Sequence, residues 1–173
     1  MDKLEYKGQT YLRTNARWTD MRHIAVPETL QRILNSLYLE NLDYSGYSVA
    51  ELVAGGDRFK ESSSYESAIA FYEKAIDLCD LKTLQYILPR ITSCYRLWHR
   101  PYKVIELFSS VKAQYGEVFI TPVLLTSVAA AYCDLKEYEN ALRCCRWAYK
   151  NFGEFDANLS NVWARIKKES GLE

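Results

Sequence analysis

Two histidines, five cysteines and a Gly-Gly pair are the residues of this 173-residue chain whose types suit metal, thiol or phosphate chemistry. His99 follows Cys94 by five positions, but Cys79, Cys133, Cys144 and Cys145 form no C-x-x-C pair and His23 is remote in sequence, so no finger-type metal site is indicated. Gly55-Gly56 has no strand before it and no Lys-Ser/Thr after it, which excludes a phosphate-binding loop. It lies inside a helical pattern and is expected to let two helices pack closely. The thiols suit the role of small apolar fillers. Asp77 and Asp80 fit solvated helix positions. The expectation is a chain with no catalytic residues, no metal and no cofactor.

The elements that must position any site follow from an internal repeat. Gly56, Phe59, Ala68, Tyr72 and Ala75 share their spacing with Thr92, Tyr95, Val104, Phe108 and Val111, and again with Ala129, Tyr132, Ala141, Cys145 and Ala148. Small residues let helix backbones approach, and aromatic residues fill the space between neighbours. Three copies with near-regular starts at 56, 92 and 129 describe helical hairpins that must stack to bury their faces. The units span 49–82, 85–118 and 122–155, within a repeat region of 48–155. The first predicts helices over 49–61 and 65–79, broken at Ser62-Ser63-Ser64. The turns of the other two fall at Trp98-His99-Arg100 and Leu135-Lys136-Glu137.

The flanks differ. In residues 1–26, Leu4, Tyr6, Tyr11, Leu12 and Trp18 lie in short runs separated by Lys7-Gly8 and Thr14-Asn15-Ala16, which predicts a small β-hairpin or meander over 3–6, 9–13 and 17–20. Two or three short strands need a packing partner. Residues 27–47 supply one, a capping helix from Pro27 with Leu30, Ile33, Leu34, Leu37 and Tyr38 along one stripe, followed by a turn. Ser48 and Glu51 then form a capping box. Over 156–173, Phe155, Leu159, Val162, Trp163 and Ile166 predict a closing helix at about 156–169. The fold class is mainly α, with a small β element in front. Zero formal charge argues against broad capture of nucleic acid or an anionic membrane. No signal-peptide or spanning apolar segment is present, so a cytoplasmic chain with reduced thiols is expected. Fourteen tyrosines fit amphipathic repeat positions, or a recognition face.

The repeat resembles the tetratricopeptide (TPR) family, most closely in the run Tyr65 to Leu78 and in Tyr138-Glu139-Asn140-Ala141-Leu142. Val104 and Val111 depart from the family's alanines, and Asp80, Gly116 and Gly153 stand where it has terminal prolines. The resemblance implies a right-handed α-α superhelix of three TPR-like hairpins plus capping helices. It also implies a protein–protein interaction scaffold whose first helices line a concave groove for a peptide or helix. Transferred residue by residue, the groove presents Val53 and Asp57, then Tyr86, Arg90, Ser93, Arg96 and Leu97, then Val123, Thr126, Ser127, Ala130, Cys133 and Asp134. Arg90 and Arg96 are the anchors for an anion or hydrogen bond. The family's clamp for chaperone carboxylate tails is not expected: Val53, Asp57, Arg90, Val123 and Ser127 occupy its places, and Asp57 would repel a carboxylate. One alternative is a nucleic-acid-associated regulator using Lys3, Lys7, Arg13, Arg17, Arg22 and His23 with Tyr6, Tyr11 and Trp18 as stacking rings. Another is a homo-oligomer joined through Trp98 or Trp147. The partner's identity is not written in the sequence.

Overall fold

The N-terminal strands form because Lys7 and Gly8 both adopt positive φ, 49° and 74°, the geometry a two-residue hairpin loop requires. In the computed structural model, which describes residues 2–14, 17–153 and 157–171, β1 (Asp2–Tyr6) pairs antiparallel with β2 (Gln9–Thr14), and β2 with β3 (Arg17–Thr19). The expected second turn at Asn15-Ala16 lies outside the described residues. Helices follow as α1 (Glu28–Glu40), α2 (Val49–Glu61), α3 (Tyr65–Leu78), α4 (Leu81–Leu97), α5 (Pro101–Tyr115), α6 (Pro122–Asp134), α7 (Tyr138–Phe152) and α8 (Ala157–Ser170). The chain is mainly helical with a three-stranded antiparallel sheet at its N-terminus. It divides into two units, Met1–Ala75 and Ile76–Glu173.

In the first unit the sheet packs on α1. Trp18 is fully buried, and α1 grips it with side-chain amides one turn apart. Gln31 accepts from the Trp18 backbone N–H (2.8 Å) and donates to its carbonyl (2.7 Å), while Asn35 accepts from the indole N–H at 2.8 Å. Leu34 completes this core with Tyr11, and Leu30 and Tyr38 pack against it. Ile33, expected in the same stripe, is exposed. A three-stranded sheet is narrow and covers only the row through residues 30, 34 and 38. Ser48 and Glu51 form the expected capping box at the start of α2. Gly55 and Gly56 lie beneath α3: a Cβ on either would stand 2.5 Å from the ring of Phe71 or Tyr72.

The second unit is built in two layers. Helix α6 is almost wholly buried and touches α4, α5, α7 and α8. Helices α4, α6 and α8 adjoin in sequence order, with α5 and α7 behind them. Leu159, Val162 and Ile166 bury α8 against this stack, as a closing helix requires. The expected contribution of Phe155 lies outside the described residues. Helix α4 begins earlier than its repeat copy predicts, because Asp80 caps it by accepting from the Thr83 N–H at 2.8 Å. It also carries Pro89 in its interior, where a backbone hydrogen bond is forfeited.

The three turns between paired helices share one geometry. Ser64, Arg100 and Glu137 donate their backbone N–H to the carbonyls of Phe59, Tyr95 and Tyr132 at 2.9, 2.8 and 2.8 Å. Ser63, His99 and Lys136 stand before them with φ of 60°, 56° and 62°, and donate to Lys60, Arg96 and Cys133. Each is a Schellman ending, with a non-glycine residue in the left-handed position. Such a conformation costs an L-residue about 1 kcal/mol or more. Lys136→Gly is therefore expected to stabilise the chain by about 0.5–1 kcal/mol after the added freedom of the unfolded state is subtracted. Urea unfolding measures this. Gly56→Ala is expected to act oppositely. Alanine gains about 1 kcal/mol in helix propensity, but crowding a packed core costs about 1–3 kcal/mol. Tyr72 has no room to yield, being fully buried with its hydroxyl donating to Asp57 at 2.6 Å. A net loss near 1 kcal/mol is expected for Gly56→Ala, and little change for Gly46→Ala, which faces open space.

Candidate functional site: the face of α4, α6 and α8

Groove residues implied by the TPR resemblance, from both α4 and α6, converge in the second unit. Ser93, Arg96 and Leu97 of α4 line a cavity of about 530 Å³ with His99, Pro101, Asp134 and Arg165. Arg96 also borders a second cavity of about 360 Å³, lined by Thr126, Ser127 and Ala130 of α6 and by Asn158, Asn161 and Arg165 of α8. The two cavities thus share Arg96 and Arg165. Ala130 is buried and forms floor rather than rim, while Leu97 and Val123 expose about half their surface, 49% and 53%.

The charges here neutralise one another. Asp134, at the C-terminal end of α6, accepts from Arg96 Nε at 2.8 Å and from Arg165 Nη1 at 2.6 Å. Arg165 Nε in turn donates to Glu169 Oε1 at 2.8 Å, one helical turn along α8. Partial burial opposes ionisation of Asp134, but the hydrogen bonds and charges of the two arginines outweigh it and hold the carboxyl below its ordinary range. Arg165 is pushed above its ordinary range by its bonds to Glu169 and Asp134. Arg96 is therefore not the open anion anchor that its position suggested; its Nε is committed to a carboxylate 38 residues away.

The remaining expected residues behave differently. Tyr86 is half-exposed on α4, and the Arg90 guanidinium lies 3.5 Å from its ring centroid while bonding to its carbonyl. This pair borders neither cavity. Val53 belongs to the first unit and is buried, a core residue rather than a groove residue, because α2 turns that face inward. Asp57 accepts the buried Tyr72 hydroxyl, which gives it a packing role. Cys133, expected to face the groove, is 1% exposed and is a core residue, because α6 is packed on nearly every side.

Residues considered for other chemistry find structural places. His99 holds a left-handed turn position, and among the described residues no three His, Cys, Asp or Glu side chains cluster as a metal site. No described helix is long and apolar enough to cross a membrane. Of the rings considered for base stacking, Trp18 and Tyr11 are buried. Arg13 is buried too, and Lys3 and Arg22 pair with Glu5 and Asp20. Trp98 and Trp147 are half-buried, with Arg100 over the first and Phe152 edge-on to the second. The exposed aromatics of α7 are Tyr149 and Phe152.

The contribution of α8 was missed at the level of sequence. Asn158, Asn161 and Arg165 recur at helical spacing, which was the available signal, but a closing helix was expected to supply only its apolar stripe. No family model matches the chain, and neither does any curated protein or solved structure.

A folded Asp134 with a depressed pKa stabilises the chain above the unfolded carboxyl pKa of about 3.9. That stability is lost as pH falls through the folded value. Asp134→Asn is expected to lower stability at neutral pH by on the order of 1 kcal/mol. It should also flatten the acid limb of the stability profile below about pH 4. Urea midpoints measured from neutral pH downward check both.

Proposed function

We propose that the chain is a non-catalytic protein–protein interaction scaffold of TPR-like hairpins. A peptide or helix of a partner would lie along α4, α6 and α8. The observation that carries this is the pair of adjoining cavities, lined from α4 and α6 by residues that the TPR resemblance implied for a groove, and from α8 by residues that it did not. The finer fold reading, a right-handed α-α superhelix, belongs to the same proposal. The repeated Schellman turns and the two-layer order of α4 to α8 support it. Leu97 and Val123 supply apolar contact at the rim, and hydroxyls and amides supply hydrogen bonds, the composition of a helix or peptide site. The cytoplasm is the compartment we propose, on the five free thiols. Of the residues the nucleic-acid alternative would use, Tyr11, Trp18 and Arg13 are buried, and no observation favours it.

A photo-crosslinking side chain at Ser127 is expected to give discrete adducts with the partner in cells of origin, and one at exposed Arg146 on α7 is not. Leu97→Asp with Val123→Asp should abolish the Ser127 adducts while leaving the circular dichroism and unfolding midpoint near wild type. Adducts that persist in the folded double variant would remove the groove from consideration.

A further inference from the structure

The first unit holds a buried guanidinium with an incomplete set of partners. Arg13 of β2 is 8% exposed. Its guanidinium carbon lies 4.3 Å from the ring centroids of both Tyr38 (α1) and Phe59 (α2), with Trp18 at 5.9 Å. Rings engage its π-faces, so hydrogen bonds must be made through its edges. One edge meets Asp2, but Nη1 to Oδ2 is 3.5 Å, well beyond the roughly 2.7–2.9 Å of a charge-assisted bond. Nε has no hydrogen-bond partner. Burial lowers the Arg13 pKa, outweighing the opposing effects of the Tyr38 hydroxyl and the Asp2 carboxylate.

This guanidinium borders a cavity of about 660 Å³ that runs past Tyr47 and Phe71, with Asp2, Arg58 and Glu61 also on its lining. That volume is in the range of small-molecule sites. Phe71 faces it because Gly55 has no side chain to hold the ring away from α2. Tyr44 and Tyr47 brace the same ring edge-on at 5.5 and 6.3 Å.

We propose that this cavity binds a small organic carboxylate with a flat apolar body, the carboxylate replacing Asp2 at Arg13 and the body lying against Tyr47 and Phe71. Asp2 is suited to yield, being half-exposed and held by a long bond. The lining sets two cations, Arg13 and Arg58, against two carboxylates, Asp2 and Glu61, so a monoanion adds less excess charge than a dianion. A dianionic phosphate would meet repulsion from Asp2 and Glu61 at the rim. The site lies wholly within the first unit and is independent of the helical groove.

The test is a titration of the ¹⁵N-labelled full chain with phenylacetate, phenylacetamide and phenyl phosphate. Phenylacetate should shift the amides of Tyr38, Tyr47, Phe59 and Phe71 saturably at millimolar concentration. Phenylacetamide and phenyl phosphate should each bind at least about tenfold more weakly. Asp2→Asn, which removes the competing carboxylate without touching the buried core, should tighten phenylacetate about threefold or more. Acetyl-Gly-Gly-Phe with a free or amidated terminus distinguishes a peptide end from a free acid: tighter binding of the free-terminus peptide than of phenylacetate assigns the site to chain ends. Arg13→Lys should abolish binding in a chain whose Trp18 indole N–H resonance, set by its bond to Asn35, keeps its folded position. The proposal is overturned by equal binding of acid and amide, by phosphate binding more tightly than carboxylate, or by no saturable shift at these residues in both wild type and Asp2→Asn.

Discussion

Two helix backbones approach only where side chains leave room, and that constraint underlies both units. Gly55 and Gly56 admit Phe71 and Tyr72 at a distance no Cβ would permit. In the second unit Ala129, Ala131, Ala141, Cys145 and Ala148 are at most 1% exposed. The same constraint settles what the thiols can do. Cys145 occupies a small-residue position, and burial pushes its thiol up to about 12, and that of Cys144 up to about 11. At neutral pH both are protonated and poor nucleophiles, as expected of residues chosen for volume.

The repeat was legible because close packing imposes residue size at fixed spacing, and size is visible in a sequence. The helix limits at Val49, Glu61 and Pro101 follow from local caps and punctuation in the same way. The three turns were legible in place but not in their shared geometry. Its left-handed position is filled by Ser63, His99 and Lys136, which have no side-chain property in common, because the requirement is on the backbone. The early start of α4 depended on one cap, Asp80, which the comparison between repeat copies passed over.

Charged residues were least legible of all, since their meaning lies in partners distant along the chain. Arg13 counted as a surface cation until Tyr38 and Phe59 enclosed it. Arg96 counted as an open anchor until Asp134 took its Nε. The two sites pair their cations differently, one at the partly exposed surface and one in the interior. Arg96 and Arg165 share a carboxylate at short distance, with Glu169 extending the network. Arg13 has aromatic faces and a remote Asp2, an arrangement that supplies less compensation per charge.

This difference bears on how a partner would be held on the proposed reading of the α4, α6 and α8 face. Arg96 and Arg165 are offset by Asp134 and Glu169, so the face carries little net field from these groups. Zero formal charge over the whole chain adds no long-range attraction. Association without steering is limited to ordinary rates, and affinity must then come from slow dissociation. Slow dissociation in turn requires buried apolar contact and satisfied polar groups. Leu97 and Val123 offer the first, and Thr126, Ser127, Asn158 and Asn161 the second. The internal ion network then serves to fix the floor between α4, α6 and α8, so that these groups are held in place before a partner arrives.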